Sequence, residues 1–128
     1  MPLNNKLNKY QQNRVIAATG PALARIALDE SIKSVRAAIG QLRAGDPMER
    51  SRHVSRAMSL LTEFGGMLND SENPSLVRNI KSVIAFAHDR LIEAHAQQSE
   101  ARMNEAIDVL KPILEAWTVA EQRSVRTA

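Results

Sequence analysis

The side chains best suited to chemistry in this sequence are its three histidines, and their neighbours decide what each could do. His88 and His95 are seven residues apart, so on a helix they share one face, with Asp89 and Glu93 close by. Imidazole and carboxylate together could hold a divalent cation, but a closed site needs further ligands and none falls at suitable spacing. The pair is therefore expected on a solvated helix face. A di-iron or di-manganese bundle would need Glu-x-x-His on two helices, a motif that does not occur. The absence of cysteine removes disulfides, thiolate zinc sites, iron–sulfur clusters and cysteine nucleophiles together. The 5 glycines are scattered and build no phosphate loop, dinucleotide fingerprint or nucleophile elbow.

One stretch has an enzymatic outline. In His53-Val54-Ser55-Arg56, a cation three residues after the histidine could steady a phosphoryl group on it, as in histidine phosphotransfer domains, which are also four-helix bundles. Those domains usually place lysine and then glycine after the histidine, leaving room for the partner, whereas Arg56-Ala57 stands here. Phosphotransfer through His53 is the alternative reading. The leading expectation is a binding protein with no catalytic residue, no metal and no cofactor.

Charge narrows the partner. Residues 1–56 hold 10 Lys/Arg against 4 Asp/Glu and residues 57–128 hold 7 against 10, so a basic half precedes an acidic one and the total is only +3. Arg25, Arg36 and Arg43 line up along the first helical stretch, and Arg52 and Arg56 follow one turn apart on the second. With 3% aromatic residues there are no interleaved stacking platforms, so this is expected to be a solvated basic face, not a nucleic-acid site. Met1 to Asn13 is polar, and no apolar run approaches the roughly 20 residues of a membrane span. A cytoplasmic protein without membrane insertion is the expectation.

The elements that would carry these residues are helices. Thr19-Gly20-Pro21 opens the first, whose stripe is Leu23, Ile26, Ala27, Ile32, Val35, Ile39 and Leu42, with Leu28 off its centre. Ala44-Gly45 ends it, and Asp46-Pro47-Met48-Glu49 starts the second as a capping box. That helix presents Met48, Val54, Met58, Leu61 and Met67 or Leu68, and Gly65-Gly66 is expected to weaken its end. Asn73-Pro74 opens the third, striped by Leu76, Ile80, Val83, Ile84, Ala87, Leu91 and Ala94. After Gln97-Gln98-Ser99 comes the fourth, with Met103, Ala106, Ile107, Leu110, Ile113, Leu114 and Trp117, bent at Pro112. Short connections between long helices predict an all-α, antiparallel up-and-down four-helix bundle with a short N-terminal segment docked on it. The expected organisation is a leader over 1–18, the bundle over 19–122 and a mobile tail over 123–128.

The leader carries a resemblance. Asn8-Lys9-Tyr10-Gln11-Gln12-Asn13-Arg14-Val15, followed by Ala18-Thr19-Gly20-Pro21 and an apolar helix, resembles the opening of the flagellar export chaperone family FliS, with its Tyr-Gln element and Thr-Ala-Ser-Pro turn. The likeness runs through Gly45-Asp46 and Arg90-Leu91-Ile92-Glu93-Ala94 to Glu115-Ala116-Trp117. Leu28-Asp29-Glu30-Ser31 replaces the family's usual Leu-Tyr-Asp-Gly, and Gly20 replaces the serine of the turn. The resemblance implies a cytosolic bundle that binds the C-terminal segment of flagellin, prevents premature polymerisation and delivers it for type III export, with export-gate components as further partners. It also favours a role for Tyr10, Gln11 and Val15 in client access.

A client that folds on binding lays amphipathic helices into hydrophobic grooves, so some stripe residues must stay open. Met58 and Leu61 on the second helix, and Ile80, Val83, Ile84, Ala87 and Leu91 on the third, are the candidates. For any one of them, ordinary core is the commoner reading. The free protein is expected to be a monomer or a weak homodimer.

Overall fold

Local capping chemistry sets where each helix begins and ends. In the computed structural model, which describes residues 20–69, 71 and 73–127, four α-helices form: α1 (Pro21–Ala44), α2 (Pro47–Met67), α3 (Pro74–Gln97) and α4 (Glu100–Thr127). Gly45 takes a left-handed conformation at φ 74° and closes α1. Its N–H donates to the Leu42 carbonyl at 3.2 Å while the Asp46 N–H donates to Gln41 at 3.0 Å, the paired bonds of a Schellman stop. The Asp46 carboxylate then accepts from the Glu49 N–H at 3.1 Å and opens α2. Because α1 already uses the Asp46 N–H, Glu49 does not complete the expected capping box and pairs with Arg52 at 2.8 Å instead. Asn73 opens α3 by accepting from the Leu76 N–H at 3.1 Å. Between α3 and α4, Gln98 adopts φ 52° without being glycine, and the Ser99 hydroxyl accepts from the Arg102 N–H at 3.2 Å.

Gly65 and Gly66, expected to weaken the end of α2, lie within its last turn, and the helix stops at Met67 directly after them. Around Pro112, α4 is unbroken, in keeping with the expectation of a bend without a break; the Asp108 carbonyl loses its helical donor there, but Asp108 is exposed and water can supply one. The helix also continues through 123–127, because Ala120, Glu121, Gln122 and Arg123 are helix formers and no breaker follows them.

Neighbouring helices run antiparallel in a closed ring of four. Arg25–Glu121 and Arg43–Glu100 pair α1 with α4 near both ends, Arg56 reaches Glu30 of α1, and Arg90–Glu105 with Arg102–Glu93 joins α3 to α4. The double hydrogen bond from Arg43, at 2.7 Å twice, holds the Glu100 carboxyl below its ordinary pKa. α1 and α2 lie closest together, since Ala27, Ser31, Ser34 and Ala38 are small side chains buried on α1. The α2–α3 seam is the loosest. Leu28, far from being off the stripe, is fully buried, whereas Leu23 and Ile26 are 68% and 45% exposed. The α1 stripe therefore centres on Ala24, Leu28, Ser31 and Val35. Across the middle, Phe64 and Trp117 meet edge to face, with centroids 5.0 Å apart.

Candidate functional site

Two seams of the ring leave apolar side chains in reach of a partner. Val83, Phe86 and Arg90 fall three and four residues apart on α3, and Arg90 bonds across to Glu105, so their shared side looks toward α4. Val109, Ile113 and Ala116 continue from Glu105 along the matching side of α4. Val83, Val109, Ile113 and Ala116 are half-buried, and Phe86 is 40% exposed. The result is an apolar strip along the outer α3–α4 seam. At its end the Arg90 guanidinium carbon lies 4.8 Å from the Phe86 ring centroid, a cation–π contact. Arg90 and Arg102 each share Glu93 and Glu105, closing the strip with a four-membered charge network.

The α2–α3 seam is bridged by histidine. His88 Nε2 donates to the Met58 carbonyl at 3.1 Å, and Arg50 Nε donates to His95 Nδ1 at 3.2 Å. The two rings do share a helical face, as their spacing requires, but that face packs against α2 and both are half-buried. They are seam ties, not the solvated pair expected. Outside them, Met58 is half-buried and Ile92 is exposed. Among the described residues no group of His, Asp and Glu is arranged to hold a metal ion. His53 is half-buried, and Arg56, its supposed phosphate partner, reaches across to Glu30 at 3.6 Å.

Of the candidate groove residues, Leu61, Ile80, Ile84, Ala87 and Leu91 are buried in the core, none more than 7% exposed. As the bundle stands they are core side chains that hold the helices together. Met58 and Val83 stay half-buried at the two seams. Tyr10, Gln11 and Val15 lie outside the described residues. The exposed Phe86 and Ile92, and the half-buried Val109, were not among the candidates. The signal was present in the spacing Val83-Phe86-Arg90, a second stripe one residue out of phase with Ile80-Ile84-Ala87-Leu91.

A family model described as flagellar protein FliS matches residues 3–124 of the chain. The flagellar secretion chaperone FliS of Bacillus subtilis (strain 168) is 23% identical over 122 residues, which cover 95% of this chain and 90% of that protein.

Proposed function

This chain belongs to the FliS family, and from that membership we propose that it is a cytoplasmic chaperone of flagellar secretion, binding the C-terminal segment of a flagellin along the α3–α4 seam. The observation that carries the choice of surface is Phe86, 40% exposed on α3. Single apolar residues at a surface are ordinary, but here Val83, Val109 and Ile113 extend Phe86 into one strip. An amphipathic helix with apolar residues three and four apart would lie in that strip and cover it. The client end is thereby kept from pairing with other flagellin chains until it is handed to the export machinery. No described helix is long and apolar enough to cross a membrane, which suits this role. Of the residues expected from sequence, Val83 supports this choice of surface, being half-buried on the same side of α3 as Phe86.

Calorimetry and co-elution with a synthetic peptide of the C-terminal segment of flagellin from the same organism test the reading. Binding by the wild type and at least about tenfold weaker binding by Phe86→Asp are expected. No heat and no co-elution with the wild type would refute it.

A further inference from the structure

We propose that Arg50 is the docking point for an acidic side chain in a second stretch of the client, approached from the outer side of the α2–α3 seam and separate from the stretch on the α3–α4 strip; the inference rests on the client-binding reading above. Arg50 is the fourth residue of α2 and only 6% exposed. Its Nε donates to His95 Nδ1, a neutral acceptor that supplies no negative charge. The carboxylates at this end of the bundle are committed elsewhere. Asp46 caps α2, Glu49 pairs with Arg52, Glu100 pairs with Arg43, and Glu93 and Glu105 are shared by Arg90 and Arg102. Among the described residues none forms an ion pair with Arg50.

The tip of the side chain is the informative part. Nη1 and Nη2 of Arg50 have no hydrogen-bond partner among the described residues, yet they are not sealed from solvent. A cation whose stem is sunk in the protein normally has a carboxylate partner, because burial removes hydration that an ion pair must replace. Here the two nitrogens, without a partner among the described residues, form a planar fork suited to bidentate recognition of a carboxylate. The first turn of α2 adds partial positive charge beside it. One and two turns away along the same seam are exposed Ile92 and half-buried Met58. The partner that fits is a helical segment with an Asp or Glu placed one or two turns from apolar residues, the acid on Arg50 and the apolar side chains on Ile92 and Met58.

The test is calorimetry of the full chain with two synthetic peptides of the flagellin C-terminal segment, one native and one with every Asp and Glu changed to Asn or Gln. The neutral peptide is expected to bind the wild type about tenfold more weakly or worse. Arg50→Met, which keeps an unbranched apolar stem, should erase the difference between the peptides at unchanged far-ultraviolet helicity. Equal affinity of both peptides for the wild type overturns the Arg50 assignment and leaves the client reading standing. So does a difference that survives undiminished in Arg50→Met. Binding of neither peptide overturns both. Should Arg50→Met not fold, Arg50→Gln is read in the same way, the peptide difference being lost if Arg50 holds the acid and kept if it does not.

Discussion

Ile84 and Phe86 are two residues apart on α3 and should respond to the same substitution in opposite ways. Ile84 belongs to the buried core and lies against Gly65 of α2, so Ile84→Asp removes a packed side chain and leaves a carboxylate in an apolar pocket. The lost packing alone is about 2–5 kcal/mol, and the buried charge brings the total to about 5–8 kcal/mol. That approaches the whole stability of a domain this size, about 5–15 kcal/mol. Phe86→Asp forfeits only the covered part of the ring and its contact with Arg90, about 1–2 kcal/mol in all. With an unfolding entropy near ~0.27 kcal/mol/K for 128 residues, the melting temperature should fall by about 4–8 °C for Phe86→Asp and by about 20–30 °C for Ile84→Asp. Thermal circular dichroism reads both shifts, and peptide calorimetry reads binding by the surviving variant. An Ile84→Asp protein melting within a few degrees of wild type, or a Phe86→Asp protein binding the flagellin peptide normally, would refute the division into core and strip.

Gln98→Gly should stabilise the chain by about 0.5–1 kcal/mol, measured as a higher urea midpoint, because glycine occupies the left-handed stop of α3 without a Cβ penalty. Gly66→Ala should add a similar increment of about 0.5–1 kcal/mol, since Gly66 is helical, exposed and surrounded by open space; a fall in the urea midpoint would refute this. The Glu100 carboxyl is held below its ordinary pKa by Arg43, so its contribution is present above the ordinary carboxylate range and disappears as pH falls through the lowered value. Glu100→Gln should therefore lower the urea midpoint slightly at pH 7 and low salt but not in strong acid, where a persisting difference would contradict the ion-pair explanation.

The helix boundaries were readable because their causes are local. Gly45, Asp46, Asn73 and Ser99 act on backbone groups within a few residues, so their chemistry is written in adjacent letters. Which face a helix buries is not local. On α3 the core line through Ile80, Ile84, Ala87 and Leu91 was legible, but whether Val83 and Phe86, one residue out of phase with it and beside charged Arg90, would be covered depends on where α4 lies. α1 makes the same point from the other side: small Ala24 and Ser31 occupy the centre of its buried face while large Leu23 and Ile26 lie outside. The end of α3 at Gln97-Gln98-Ser99 was also readable, but the left-handed backbone of Gln98 was not, because glutamine carries no preference for it. His88 and His95 were correctly placed on one face, but that this face meets α2 depends on the packing of the whole ring.

Asp46 finishes one helix with its N–H and begins the next with its carboxylate, so α1 and α2 share a residue that neither can release alone. Closing so short a loop costs little chain entropy, and the close packing of these two helices rewards it early. During synthesis this hairpin leaves the ribosome ahead of α3, and it can wait as a preformed half onto which the second pair condenses. In the finished protein the order reverses: α3, set against the loosest seam, should come away first. Native-state hydrogen exchange should then show amides of α3 exchanging through a smaller opening than those of α1 and α2, and uniform protection across all four helices would argue for a single cooperative unit.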